Sequence, residues 1–247
     1  MGNNVQPRPL ANNHISVDCV ILGFDGEQLK VLLLRRVGEE AGKVFQDMKL
    51  PGSLIYQDED LDEAAERVLN ELTGLKNMSL IQFRAFGSKN RTKDPKDIHW
   101  LERAMQEHVD RIVTVVYLSL IKIDRALNHE LENYQARWVS VPEACNSSLA
   151  FDHNLIIKGA IEYIRTYVSI NPSALFDLLP RKFTASQLRT LFEVIYGTHI
   201  DVRNFHKRIA QMSYVIPLDE RQQGVAHRAA RYYRFDRKIY NLSHIKQ

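Results

Sequence analysis

The sequence has no apolar stretch long enough to cross a membrane as a helix, which takes about 18 or more residues. Its first residues, MGNNVQPRPLANNHIS, also lack the apolar core of a secretion signal. Gln6 occupies the position at which a myristoylation signal has serine or threonine. We therefore expect no membrane association, and we expect residues 1–13 to be a flexible tail.

Cysteine is scarce, because the 247 residues contain only Cys19 and Cys145. This pair has neither the spacing of a metal site nor that of a redox motif, and both cysteines have apolar neighbours. Buried free thiols in a reducing compartment are the simplest interpretation, so we predict a cytoplasmic protein.

Charge is distributed unevenly along a chain whose net charge is +3. Residues 181–247 contain 13 Lys and Arg against 5 Asp and Glu, so the remainder of the chain is acidic overall. A basic C-terminal region on an acidic body predicts that this region binds a polyanion. The alternative is a basic surface that only maintains solubility.

The first part of the chain is predicted to be rich in β-strands. Two strands, at 16–24 and 29–35, are separated by a turn signal at 25–28. Apolar patterning also predicts strands at 80–86, 111–123 and 134–141, and a helix at 151–168. Residues 89–110 form a long polar insertion with a helical pattern from about residue 98. Insertions of this length are binding loops, lids or oligomer contacts, and the sequence leaves the three alternatives open.

A second module is predicted to follow Pro172 and to extend over 172–242. Its predicted helices cover 173–179, 185–196 and 202–212, and its strands cover 214–217 and 231–235. Thr184 is placed to cap the middle helix, and Gly197 to end it. This order is typical of a winged helix-turn-helix, whose second helix normally enters the major groove of DNA.

Residues 50–75, LPGSLIYQDEDLDEAAERVLNELTGL, contain the most specific motif. Their apolar spacing alone would also fit an ordinary amphipathic helix. The ordered set of LPG, Glu59, Arg67, Glu71 and the closing TGL resembles the Nudix box, G-x5-E-x7-R-E-U-x-E-E-x-G-U, in which U is aliphatic. Ser53 takes the position of the first glycine. The resemblance implies that residues 14–168 form an α/β (α+β) domain, a mixed sheet in an α/β/α sandwich.

Two positions depart from the box. Val68 and Leu72 stand where the family carries glutamates, which lie near the metal that activates the pyrophosphate. Mg²⁺ prefers several hard oxygen ligands, so the loss of these two glutamates removes most of the metal-binding carboxylates. We therefore predict a Nudix fold without catalytic residues, metal or cofactor. The alternative is an active hydrolase that holds Mg²⁺ with Glu59, Glu71 and an acidic residue such as Glu63.

The candidate recognition helix is DVRNFHKRIAQM, residues 201–212. Phe205, Ile209 and Met212 have the spacing of a core face, whereas the polar positions offer donors for base edges and phosphates. The basic hairpin that follows adds further arginines. The predicted DNA-binding residues are Thr184, Gln187, Arg203, Asn204, His206, Lys207, Arg208, Arg228 and Arg231.

A degenerate box followed by LLPRKFTASQLRTLFEVIYGTHIDVRNFHKRI and HRAARYYRF resembles the Nudix-type transcription regulators. These include NrtR-like regulators of NAD metabolism and AraR-like regulators of pentose utilisation. The resemblance implies a homodimer that binds a palindromic double-stranded operator, and a small effector that changes its affinity. Ala229 departs from the family, which has glycine or proline there. A winged helix that binds a protein instead of DNA is the alternative, and salt dependence distinguishes the two.

The effector is expected to be a nucleotide such as ADP-ribose in the NrtR-like group and a free pentose such as L-arabinose in the AraR-like group. A pyrophosphate requires metal carboxylates or an Arg and Lys cluster, whereas a sugar requires paired donors and acceptors. Because Val68 and Leu72 weaken the metal site, we predict a repressor of sugar utilisation genes that senses a pentose, with the NrtR-like regulator as the alternative. The candidate effector-binding residues are Arg35, Arg84, Arg91, Arg111, Asp152 and His153.

Overall fold

A computed structural model describes residues 11–106, 108–109, 111–224 and 229–244. The chain divides into two compact units. The first contains the chain up to Ile21 together with Val31–Ser119 and Ala126–Ala160, and the second contains Leu22–Lys30, Leu120–Arg125 and Ile161–Gln247. None of the helices in the described ranges is long and apolar enough to cross a membrane.

The first unit is built on a seven-stranded sheet. Its main path has the order β3-β2-β1-β6-β5, while β4 pairs with β1 and β7 pairs with β2. The strands are β1 (Ala11–Phe24), β2 (Leu29–Glu40), β3 (Lys43–Lys49), β4 (Gly52–Tyr56), β5 (Ile81–Phe86), β6 (Val113–Lys122) and β7 (Ala136–Ser140). The predicted turn joins β1 to β2, and the Asp25 carboxylate accepts the backbone N–H groups of Glu27 and Gln28.

Besides this sheet, the described part of the chain up to Ile170 contains five helices. Capping residues mark the ends of several of them. They are α1 (Leu61–Thr73), α2 (Pro95–Met105), α3 (Arg125–Glu132), α4 (Val141–Asn146) and α5 (His153–Ile170). Asp60 and Glu63 form a capping box at the start of α1, and Gly74 ends the helix in the left-handed conformation at φ 74°. A Cβ on Gly74 would also press on the Tyr134 ring, so both conformation and space favour glycine there.

Several predicted boundaries in this unit were wrong. The strand β1 begins at Ala11, so the last three residues of the predicted tail belong to it, and residues 1–10 lie outside the described residues. The helix of the insertion begins at Pro95 because Asp94 caps it and proline suits the first helical turn. Cys19 is buried as predicted, whereas Cys145 is only half-buried.

The second unit contains the predicted helix-turn-helix followed by a hairpin. Its elements are a 3-10 helix (Pro172–Leu178), β8 (Phe183–Thr184), α6 (Ala185–Tyr196), α7 (Val202–Gln211), β9 (Val215–Arg221), β10 (Arg231–Phe235) and α8 (Arg237–His244). The three strands have the order β8-β10-β9. Residues 173–179, predicted as a helix, form mostly this 3-10 helix, and α8 was not predicted.

Aromatic side chains form the centre of the second unit. The ring of Phe176 stacks on that of Phe235 with 4.1 Å between centroids, and the Phe183 ring lies 5.9 Å from Phe176. Tyr214 contacts Phe235 edge to face, and Tyr240 of α8 packs on Tyr214 in the same way. This cluster ties the hairpin and α8 to the 3-10 helix, so the position of the hairpin is set by packing.

Candidate functional site

A cavity of about 100 Å³ lies in the first unit. One part of its wall is apolar, and the other carries charged and hydrogen-bonding groups. The lining residues are Ser16, Asp18, Lys49, Gly52, Ser53, Leu54, Arg91, Thr92, Trp100, Leu101, Ile112, Phe151 and His153. A concave, partly apolar cavity with a few convergent polar groups is the usual form of a small-molecule site.

Arg91 joins two acidic residues at this cavity. Its guanidinium is almost fully buried and lies 3.5 Å from the Asp18 carboxylate and 3.1 Å from that of Asp152. Burial opposes the ionisation of Asp18, but His153 and Arg91 beside it bring the pKa of its carboxyl below the ordinary value. Burial raises the pKa of Asp152 in spite of Arg91. The two carboxyls therefore differ in how readily they take up a proton.

His153 is the first residue of α5, and its ring is fixed by the backbone. Nδ1 accepts a hydrogen bond of 2.9 Å from the N–H of Leu50. The proton of the neutral ring is therefore on Nε2, which lies 3.5 Å from Oδ1 of Asp18. Burial lowers the pKa of His153 to about 4, so the imidazole is neutral at pH 7. It can donate a hydrogen bond through Nε2, but it adds no charge to the cavity.

Lys49, the last residue of β3, supplies a second buried cation. Its Nζ donates to the carbonyl of Gly52 at 2.9 Å and lies 5.6 Å from the centre of the Trp100 ring. Burial lowers the pKa of Lys49 to about 8, with Asp18 acting in the opposite direction. The ammonium group is thus mainly protonated at pH 7, and it loses its proton more readily than an exposed lysine.

Gly52 leaves space for the Asp18 carboxylate at the cavity. A Cβ at this position would overlap the carboxylate of Asp18, whose backbone pairs with Gly52 between β1 and β4. Glycine therefore allows the acidic side chain to lie directly over the neighbouring strand. This close approach gives a physical reason for the glycine of the LPG motif.

The insertion forms one wall of the cavity. It contributes Arg91 and Thr92, and α2 contributes Trp100 and Leu101. The helix is anchored by Asp97, whose carboxylate accepts the N–H of Phe151 at 2.8 Å and pairs with the buried Arg36 at 2.6 Å. Phe151 has a φ of 53°, a conformation that non-glycine residues rarely adopt outside functional or tightly held sites. Of the three roles considered for the insertion, this geometry favours that of a binding segment.

The box residues of α1 are used for structure. Arg67 binds both oxygens of Glu59, and it also contacts Glu71 at 3.2 Å and the Leu54 carbonyl at 3.0 Å. Val68 is fully buried in the hydrophobic core and Leu72 is partly buried. Apolar side chains are therefore favoured at both positions.

This donor set does not fit a Mg²⁺ ion. Both oxygens of Glu59 accept from Arg67, and Oε1 also accepts the N–H of Tyr56. Glu71 is half-exposed and turned towards the same arginine. Within the described ranges no three His, Cys, Asp or Glu side chains converge as a metal-binding cluster. Ser53 lies in the wall of the cavity.

The predicted effector residues are only partly brought together. Arg91 and His153 line the cavity, and Asp152 binds Arg91. The structure does not bring the other three to it, since Arg35 contacts Gln46, Arg84 lies over Phe86 and Arg111 contacts Gly87. Asp18, Lys49 and Trp100 were missed. The only signal for Asp18 was a lone carboxylate inside the apolar segment SVDCVILGF, which carried no information about its partners.

In the second unit, α7 presents a polar face to solvent and an apolar face to the core. Phe205 and Ile209 are buried as predicted, while Arg203, Asn204, His206 and Lys207 are exposed. Arg208 lies over the Phe192 ring at 4.6 Å, which holds its guanidinium against the surface. The exposed face of α7 therefore has the donors that contact with a polyanion requires.

Other predicted DNA-binding residues already have structural partners. Thr184 is buried and forms a reciprocal capping box with Gln187 at the start of α6. Arg231 donates to the Leu218 carbonyl at 2.8 Å and lies 3.3 Å from Asp219 across the hairpin. Arg228 lies outside the described residues. Contact of these four side chains with DNA stays a prediction.

Comparison with known families assigns both parts of the chain. A family model of the NUDIX domain matches residues 12–160, more than half of the chain, and one of the NrtR DNA-binding winged helix domain matches residues 175–235. The chain belongs to the Nudix family. It combines a Nudix domain with an NrtR-type winged helix, as Nudix-type transcription regulators do, and the predicted fold class is confirmed.

Several relatives align with this Nudix protein over most of its length. A curated relative, the ADPR responsive transcriptional repressor NtrR of Acinetobacter baylyi, is 27% identical over 240 residues, which cover 96% of this chain and 86% of the relative. The crystal structure of Shewanella oneidensis NrtR is 25% identical with a TM-score of 0.63, covering 90% of this chain and 94% of that one. The same protein complexed with a 27mer DNA is 24% identical with a TM-score of 0.65, covering 90% and 93%.

Proposed function

We propose that this protein is a DNA-binding transcription repressor whose Nudix cavity binds ADP-ribose or a closely related nucleotide as an effector, without hydrolysing it. The main observation is a combination of two sites. The Nudix domain has a cavity lined by charged and apolar groups and a box whose Glu59 is bound by Arg67, and the winged helix exposes cationic side chains on α7. Such a protein can bind an effector without hydrolysing it and can bind DNA through α7.

The DNA-binding half rests on the geometry of α7. Its buried residues fix the helix on α6, and Arg203, Asn204 and Lys207 project from the opposite face. Arginine pairs with guanine and asparagine with adenine in the major groove, and lysine neutralises phosphates. The basic excess of the C-terminal region adds a sequence-independent attraction to DNA.

The proposed effector is a nucleotide, whereas the sequence favoured a pentose. A pentose was favoured because the box had lost its metal carboxylates, and a pyrophosphate then needs a cationic site instead. The cavity is not such a site by itself, because Asp18 and Asp152 pair with Arg91, but its matched donors and acceptors suit the sugar of a nucleotide as well as a free pentose. The Acinetobacter relative, described as ADPR responsive, supports the nucleotide over L-arabinose.

Regulation requires the effector to prefer one arrangement of the protein over another, since equal affinity for both would shift nothing. We propose a homodimer in which two α7 helices enter half-sites about 34 Å apart on a palindromic operator. An effector that stabilises a different arrangement of the two winged helices would weaken operator binding.

The test starts with selection of bound sequences from random duplex DNA and measurement of their affinity by fluorescence anisotropy. Palindromic sites bound with steep salt dependence are expected, because several phosphates are neutralised. Calorimetry should then detect ADP-ribose binding without Mg²⁺, and incubation with Mg²⁺ should release no AMP. Unselective DNA binding, or AMP release, would contradict the proposal.

A further inference from the structure

We propose that the cavity holds the terminal sugar of the effector, a neutral five-membered ring whose hydroxyl groups pair with Asp18, Arg91 and His153. The phosphates and the base would then lie outside the cavity. This inference rests on the proposed function, because it identifies which part of the nucleotide the Nudix cavity recognises. It also names Trp100 of the insertion as a residue that determines specificity.

Size is the first argument. The cavity has a volume of about 100 Å³. An engineered protein cavity of about 150 Å³ accepts a single benzene molecule, so the space here suits one small ring and not a whole dinucleotide. The remaining atoms of a nucleotide effector must extend through the open side.

Charge is the second argument. The buried cations Lys49 and Arg91 face the carboxyls of Asp18 and Asp152, so the formal charges of the cluster cancel. A phosphate in this space would meet the carboxyl of Asp18 and would have to compete with two carboxyls for Arg91. A neutral group avoids that repulsion, because only an unpaired charge is strongly penalised in a buried site.

Hydrogen bonding separates a sugar from adenine, the other neutral ring of the effector. Each sugar hydroxyl both donates and accepts, which matches carboxylates that accept and a guanidinium and His153 Nε2 that donate. Adenine has one amino donor and several ring acceptors, so it would leave carboxylate oxygens facing acceptors. Such unmatched buried groups oppose binding. The cluster therefore favours the polyhydroxyl ring.

The apolar wall completes the match. Leu54, Leu101, Ile112 and the indole of Trp100 supply the apolar part of the wall. A pentose ring has hydroxyls at its edge and C–H groups on its faces, so a cavity with both polar and apolar lining groups suits it. Because Asp97 anchors α2 at Phe151 and Arg36, Trp100 is held in the wall by buried contacts.

The two tryptophans of the chain permit a direct test. Trp100 lines the cavity, whereas Trp138 on β7 donates to Asn128 and does not line it. Trp138→Phe leaves Trp100 as the only fluorescent indole, and Trp100→Phe is the matched control that leaves Trp138. Each variant is titrated with ADP-ribose, ADP, D-ribose and L-arabinose, and calorimetry gives the affinities of the intact protein.

We expect ADP-ribose to change the emission of Trp138→Phe but not that of Trp100→Phe, and to bind at least tenfold more tightly than ADP. Asp18→Asn should remove that tenfold preference. If this variant does not fold, Trp100→Phe should reduce the preference by several-fold. Binding of ADP as tight as that of ADP-ribose, or binding of ADP-ribose without any response from Trp100, would overturn the sugar assignment.

Failure of the proposed function has a different signature. If D-ribose or L-arabinose changes the emission of Trp100 while ADP-ribose does not bind, the cavity is a sugar site and the nucleotide effector is wrong. If none of the four ligands binds by fluorescence or calorimetry, both proposals are overturned.

Discussion

Both carboxylate oxygens of Glu59 accept hydrogen bonds from the guanidinium of Arg67, at 2.7 Å from Nε and 2.5 Å from Nη2. The same arginine donates to the Leu54 carbonyl and lies 3.9 Å from the centre of the Tyr56 ring. It thereby joins α1 to the strand and loop that precede it. An ion pair thus holds the segments of the Nudix box together.

Arg67→Ala is expected to lower the free energy of unfolding by about 2 to 4 kcal/mol, because it leaves the largely buried Glu59 carboxylate without its partner. Glu71→Gln is the control. The Glu71 side chain is half-exposed, so removing its charge should lower the free energy of unfolding by less than about 1 kcal/mol. Urea unfolding measures both variants. Equal effects would show that the Glu59 pair has no special structural role.

Val68→Glu is expected to destabilise the protein by about 3 kcal/mol or more instead of restoring hydrolysis, because it buries a carboxylate in a fully enclosed position. Leu72→Glu should be tolerated better, since Leu72 is only partly buried. Thermal unfolding and an assay of AMP release with Mg²⁺ and ADP-ribose test the pair. A stable, hydrolytically active Val68→Glu protein would contradict the structural role given to Val68.

His153 predicts a pH dependence of stability. Burial lowers the pKa of this residue from its ordinary 6.5 to about 4, so between these values the unfolded chain binds a proton that the folded protein does not. The free energy of unfolding therefore falls as the pH is lowered through this window, by about 3 kcal/mol for the full shift, and the contribution vanishes above pH 6.5.

His153→Asn retains an acceptor for the Leu50 N–H and removes the titrating group. Urea unfolding at pH 7 and pH 4.5 should show a smaller loss of stability for the variant than for the original protein. Parallel losses would mean that His153 titrates normally in the folded state.

Arg203→Ala is expected to reduce affinity for the selected DNA by at least about fivefold, because a bidentate contact with a base contributes about 1 to 3 kcal/mol. Arg137→Ala, which removes an exposed arginine from β7 of the Nudix domain, is the charge-matched control and should change affinity little. Anisotropy measures both. Thermal stabilisation by ADP-ribose should persist in Arg203→Ala, and its loss would contradict the separation of effector and DNA-binding roles.

Local signals predicted the second unit well. The bounds of α6 match the prediction because Thr184 and Gly197 act as the expected cap and stop, and those of β10 match as well. The strand β3 was missed because its residues, KVFQDMK, are mostly polar, and its existence depends on pairing with β2. Pairing across strands is not encoded in a local pattern.

The cavity was harder to predict for the same reason. Asp18 meets Arg91 and His153, which lie far away in the sequence, so only the folded chain brings the three together. Arg35 and Arg36 alternate along β2, and the sequence did not indicate which of them faces inward. Arg36 is the buried one, and it pairs with Asp47 and Asp97. Arg35 remains exposed.

The proposed coupling between the Nudix cavity and the winged helix is tested most directly by titrating the protein–DNA complex with ADP-ribose. Fluorescence anisotropy of a labelled, selected duplex is measured without Mg²⁺, with L-arabinose and ADP in parallel. ADP-ribose is predicted to weaken DNA binding, and by linkage DNA should weaken ADP-ribose binding by the same factor. An unchanged DNA affinity with saturating ADP-ribose, or release by L-arabinose alone, would contradict an ADP-ribose-responsive repressor.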